Sequence, residues 1–181
     1  MVSRYVALFR GINVGKAKRI AMADLRAVLA SIGYSRVRTL LNSGNAVFDG
    51  PTKVAAKHAQ QIRAAVLAEL GVDALVIVKS STDINAAIDG NPLGGIATDP
   101  SRLIVAFTND AQSLAAVKSL ADGASGTDVV HVGTHAAYVW CANGILDSKV
   151  AVALLKNLAQ SGTTRNWSTV EKIHALMLGD A

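Results

Sequence analysis

Near the start of the chain, Arg10, Gly11, Asn13 and Gly15 have the residue types and spacing of an anion site. Glycines let backbone N–H groups crowd toward a negative ligand, and an arginine adds a fixed charge with a planar fork of donors. The asparagine between them can complete an anion nest with the neighbouring amides. A nucleotide P-loop is excluded, because no Gly-Lys-Ser or Gly-Lys-Thr follows; Gly15-Lys16-Ala17 is the nearest approach. From the far half of the chain come Lys149, Arg165, Asn166 and Trp167. Lys149 and Arg165 stand just before or at the start of expected helices, where the dipole favours an anion and disfavours a cation. That conflict points to an external anion or an acidic partner. Trp167 packs as a staple on the last helix or stacks a ring ligand beside Arg165.

Other chemistry is less well supported. Ser43-Gly44 and Ser148-Lys149 lack a histidine or aspartate partner placed by the sequence, so neither reads as a nucleophile. His58, His131, His135 and His174 have no metal spacing; His131 and His135 fall on an expected hairpin rather than one helical face. Neither a metal nor a cofactor is expected.

Positioning these residues requires the following elements. The apolar run Tyr5 to Phe9 reads as a buried strand that opens into the glycine loop. Met22, Leu25, Val28, Leu29 and Ile32 recur at helical spacing up to Gly33. Val37 to Asn42 and Ala46 to Phe48 flank Ser43-Gly44-Asn45 as a hairpin, with Asn42 inside its first strand. Asp49-Gly50-Pro51-Thr52 breaks it and opens a helix closed by Gly71, and Ala74 to Val78 is the next strand. This strand-helix-strand-strand-helix-strand order is that of a ferredoxin-like unit. Such a unit is expected to put the hairpin tip at the end opposite the first loop, making Asn42 the better candidate for a shared cleft.

A short helix from Thr82 to Ile88 and a linker over 89–95 lead to a second run of the same order. It comprises the strand Leu103 to Phe107, a helix around Leu114 to Ala121 ended by Gly123, a hairpin of Asp128 to Val132 with Ala136 to Trp140, and a helix from Val150 ending at Gly162. In place of a final strand, Thr163 to Trp167 leads to a helix over 169–178, with Ser168 and Glu171 as its capping box. The expected fold class is α+β with two ferredoxin-like subdomains. Residues 1–80 form the first, 81–101 a helix and linker, and 102–181 the second, with a C-terminal helix replacing its last strand.

Three segments together resemble one family. Leu8 to Gly15, Asn42-Ser43-Gly44-Asn45 with its flanking strands, and Thr164 to Val170 are similar to the domain of unknown function 1697 family. Ser148-Lys149 at a helix start fits as well, while Ala17 departs from the Gly-Gly or Gly-Lys-Asn of many members. The resemblance implies an α+β, bacterial and cytoplasmic protein, and it implies no activity.

The bulk composition narrows the class. At 181 residues, 51% apolar and 17% charged, the chain reads as globular rather than disordered. No apolar run approaches the ~20 residues needed to cross a bilayer, and no signal peptide is evident, so no membrane partner is expected. A single cysteine, Cys141, fits a cytoplasmic location. Charge is uneven: through Arg63 eleven Lys and Arg face two acids, a balance of +9, and beyond it seven face eleven, a balance of −4. Such asymmetry attracts anions to one face or lets copies pair as a homodimer.

Four readings follow. The first is a binding module holding a phosphate- or carboxylate-bearing small molecule between the halves through Arg10, Gly11, Asn13, Gly15, Asn42, Lys149, Arg165, Asn166 and Trp167. The second is an RNA- or nucleic-acid-binding protein, which the basic half permits and the 4% aromatic content weakens. The third is a phosphoryl or acyl-phosphate hydrolase using Arg10 and Asn42. The fourth is an interaction protein pairing through its opposite charges.

Overall fold

The computed structural model describes residues 3–51, 54–122 and 127–179. The apolar run becomes β1 (Ser3–Phe9), followed by α1 (Met22–Ser31), β2 (Ser35–Leu40), β3 (Asn45–Gly50), α2 (Ala55–Leu70), β4 (Val76–Ser80) and α3 (Ser81–Asp89). The four strands form one antiparallel sheet in the order β2-β3-β1-β4. Alternation places Tyr5, Ala7 and Phe9 of β1 on the face packed with Leu25, Val28 and Leu29 of α1 and Ile62 and Val66 of α2. Val6 and Leu8 on the other face are equally buried, which is why β1 reads as a continuous rather than an alternating apolar run.

The second run gives β5 (Leu103–Thr108), α4 (Ala111–Ala115), α5 (Lys118–Asp122), β6 (Val129–Val132), β7 (Ala137–Trp140), α6 (Lys149–Asn157), β8 (Gly162–Asn166) and α7 (Trp167–Leu178). Its sheet runs β6-β7-β5-β8, again antiparallel. Ile104 and Ala106 of β5, Ala137 and Val139 of β7, and Val150, Ala151 and Leu154 of α6 share its core. The fold is therefore mixed α+β with two four-stranded antiparallel sheets among the described residues. The chain divides into two compact units: residues up to Ile84 with the segment from Lys172 on, and Asn85–Glu171.

The structure corrects four expectations. The last strand is not replaced by a helix: β8 pairs with β5, Val105 opposite Arg165 and Thr108 opposite Gly162. Its sequence, Gly-Thr-Thr-Arg-Asn, has no apolar alternation, so the usual strand signal is missing. Gly162 accordingly starts a strand, while α6 ends at Asn157.

The helix expected around Leu114 is two short ones, the first capped by Asp110, whose carboxylate accepts from the Ser113 N–H at 2.7 Å. The expected stop at Gly123 and the break at Thr52 lie outside the described residues. Ser168 is not the cap of α7. Asn166 is, its Oδ1 accepting from the Thr169 N–H at 2.9 Å.

Finally, the hairpin tip lies at the same end as the first loop. Because β1 and β3 are antiparallel, with Leu8 opposite Asn45, the finish of β1 and the start of β3 coincide. The β2–β3 turn therefore adjoins the β1–α1 loop, and Asn42 stands in that turn rather than inside a strand.

Candidate functional site: the β1–α1 loop and the β2–β3 turn

The loop after β1 is held in an unusual shape. Gly11, Asn13, Gly15 and Lys18 all have left-handed φ, at 68°, 56°, 62° and 51°. Asn13 holds this path in place. Its backbone N–H donates to the Lys18 carbonyl at 3.0 Å. Its side-chain Oδ1 accepts from the Ile20 N–H at 2.9 Å, and its Nδ2 donates to the Ile20 carbonyl at 2.9 Å and to the Asn42 carbonyl at 2.8 Å. One carboxamide thus closes the loop on itself and ties it to the neighbouring turn. Asparagine suits this place because it tolerates left-handed backbone and its amide imitates a peptide group.

The turn is fixed from its own side. Asn45, fully buried, donates from Nδ2 to the Leu40 carbonyl at 2.8 Å and to Ser43 Oγ at 3.2 Å. Gly44 accepts from the Phe9 N–H at 2.9 Å, and Ile12, 1% exposed, packs beside it.

Between loop and turn is an open cavity of about 290 Å³ lined by Asn13, Arg19, Ile20, Ala21, Met22 and Asn42. Arg19 is exposed, and among the described residues no carboxylate pairs with it. Lys16 and Lys18 are exposed on the same loop, and the Lys18 charge helps hold the Asp73 carboxyl low, after the hydrogen bond from Arg63. Met22, the first residue of α1, borders the cavity, and the helix N-cap, Ala21, has no side-chain acceptor to cap the first turn. Arg10 leaves the end of β1 half-buried, its N–H bonded to the Leu75 carbonyl at 2.9 Å; burial lowers its guanidinium pKa.

The sequence pointed to Arg10, Gly11, Asn13, Gly15 and Asn42, and all five stand at this end of the first unit. It did not single out Arg19, although the run of basic residues before the first acid contained it. Lys149, Arg165, Asn166 and Trp167 belong to the second unit. Lys149 is exposed at the first position of α6. The helix start there already has protein acceptors: Ser148 Oγ accepts from the Ala151 N–H at 2.9 Å and donates to Asp128 at 2.6 Å. This also commits the Ser148 hydroxyl to capping.

Arg165 lies within β8, 9% exposed, donating to Thr163 Oγ1 at 3.0 Å and to the Thr164 carbonyl at 2.8 Å. Burial pushes its pKa down to about 10. Asn166 caps α7, and the Trp167 indole N–H donates to Glu171 at 2.9 Å.

The aromatic residues of the first sheet are not available as a stacking platform. Tyr5, Phe9 and Phe48 are at most 2% exposed. Phe48 lies 5.7 Å from the Tyr5 ring and 4.4 Å from that of Tyr34, whose hydroxyl is 2.8 Å from Nδ1 of the buried His58.

Architecture and loop together define a two-sheet α+β protein with a clasped, basic loop at one end of its first sheet. The chain belongs to the family described as protein of unknown function (DUF1697), whose model matches residues 2–138. It is similar to the solved structure of the conserved bacterial protein SP0830 from Streptococcus pneumoniae, with a TM-score of 0.79 and 25% identity over 98% of this chain and 99% of that one. No curated protein matches the chain.

Proposed function

We propose that the protein is a binding module for a phosphate-bearing small molecule, taken by the β1–α1 loop of the first unit. The observation that carries this reading is the clasp at Asn13, which holds the loop so that Arg19 borders a cavity of about 290 Å³ with no carboxylate paired to it among the described residues. A loop fixed before the ligand arrives loses little entropy on binding, and a guanidinium meets phosphate with two parallel hydrogen bonds. Lys16 and Lys18 add long-range attraction.

Each unit is read here as ferredoxin-like, supported by the strand orders β2-β3-β1-β4 and β6-β7-β5-β8. A bacterial cytoplasmic setting is part of the same proposal. The nucleic-acid reading loses support from the burial of Tyr5, Phe9 and Phe48. The hydrolase reading gains none, since Arg10, its phosphate-holding residue, is not among the residues lining the cavity that Asn42 lines.

Calorimetric titration of the full chain with inorganic phosphate and pyrophosphate tests the proposal. Pyrophosphate is expected to bind, and Arg19→Ala to weaken it by about tenfold or more, through the loss of the guanidinium's charge-assisted hydrogen bonds. Equal affinity in parent and variant removes the reading.

A further inference from the structure

We propose that the end of the first unit built from the β1–α1 loop and the β2–β3 turn docks on an anionic lipid bilayer, Val14 and Leu41 entering the interface while Lys16, Lys18 and Arg19 meet headgroup phosphates. Val14 is 71% exposed and Leu41 49% exposed. Each is the sequence neighbour of one partner in the Asn13–Asn42 hydrogen bond, so the backbones that carry them are tied together.

Leu41 has φ 59°. A leucine there exposes its side chain and sits in backbone that glycine or asparagine adopts at lower cost. Two unfavourable choices at one residue mark a position shaped by something other than the fold.

The surroundings indicate the occupant. The adjoining exposed cations at Lys16, Lys18 and Arg19 complement a negative surface. The apolar residues at the tip are aliphatic rather than aromatic, which suits acyl chains and gives a nucleic-acid base nothing to stack on. Among the described residues no helix is long and apolar enough to cross a membrane, so the contact is peripheral. A surface contact requires no spanning run, and so departs from the sequence-based expectation of no membrane partner. The docking rests on the anion-site reading in one respect only, the use of Arg19 for phosphate.

Vesicle flotation tests it, using the full chain with phosphatidylcholine alone and with an equal mixture of phosphatidylcholine and phosphatidylglycerol. Binding is expected only to the mixed vesicles. Leu41→Asn and Val14→Ser should each weaken it about fivefold, as expected for losing one partly buried aliphatic group. Leu41→Asn keeps the left-handed backbone and therefore the fold, so its pyrophosphate affinity should match the parent's. Flotation absent from mixed vesicles, or unchanged when Leu41→Asn and Val14→Ser are combined in one chain, overturns the docking even if pyrophosphate still binds. Flotation that depends on Val14 and Leu41 supports it even if pyrophosphate binding proves absent.

Discussion

Ile12 fills the space that a side chain on Gly44 would need: a Cβ at residue 44 would fall 2.5 Å from Ile12 Cδ1 and 2.8 Å from Phe9 Cβ. The first loop and the hairpin turn, 32 positions apart along the chain, are thereby packed into one body.

Replacing Gly44 should therefore cost more than replacing a glycine that shares only its backbone geometry. Gly44→Ala combines left-handed φ with overpacking and is expected to destabilise by about 2–4 kcal/mol. Gly15→Ala, where φ is 62° but nothing lies within 4 Å, should cost only about 1–2 kcal/mol. Urea unfolding of the two variants measures the difference, and equal losses would show that space at residue 44 is unimportant.

Leu41→Asn should raise stability by about 0.5–1 kcal/mol, because asparagine takes φ near 59° with less strain and the lost side chain is half exposed. A higher midpoint in thermal unfolding is the expected outcome. A loss of stability would mean that Leu41 contributes packing its exposure does not suggest.

Asp49 is 5% exposed and accepts from two arginines, Arg4 at 3.1 Å and Arg36. Arg4 is largely buried, so Asp49→Ala leaves its guanidinium without a carboxylate and should cost about 3–5 kcal/mol. Arg36 is 71% exposed, so Arg36→Ala should cost under about 1 kcal/mol. Chemical denaturation of both variants checks the ratio.

The alkaline limb of stability should depend on Tyr34. Burial pushes its phenol from 10.0 up to about 12. The folded state thus keeps a proton that the unfolded chain releases, so the stabilising contribution is whole below pH 10 and is lost as pH rises toward 12. Two pH units correspond to at most about 3 kcal/mol. Tyr34→Phe should be less stable at neutral pH, through its lost hydroxyl contacts, yet fall less steeply between about pH 10 and 12. Parallel curves for parent and variant would exclude Tyr34 as the titrating group.

Much of the first unit was legible because its strands and helices have strong periodic patterns. Tyr5 to Phe9 and Leu25 with Val28 and Leu29 are all buried as their run and spacing predict. What escaped was held by polar groups. Gly162–Asn166 is a strand by virtue of its partner β5, and tertiary pairing overrides a sequence with no apolar rhythm. Asn13 was recognisable as part of a special loop from its glycine neighbours, but its bonds to Ile20 and Asn42 depend on a topology that puts loop and turn at one end. Arg19 was visible only as one basic residue in a row, because a cavity has no local signature.

Arg4 also donates to the Leu176 carbonyl at 3.2 Å, and the segment from Lys172 on belongs with the first unit. On the ribosome, then, the first unit is completed only after the whole intervening segment, Asn85–Glu171, has been synthesised. Until the part of α7 from Lys172 on emerges from the exit tunnel, one acceptor of Arg4 is missing, while the second unit, Asn85–Glu171, already has all its residues.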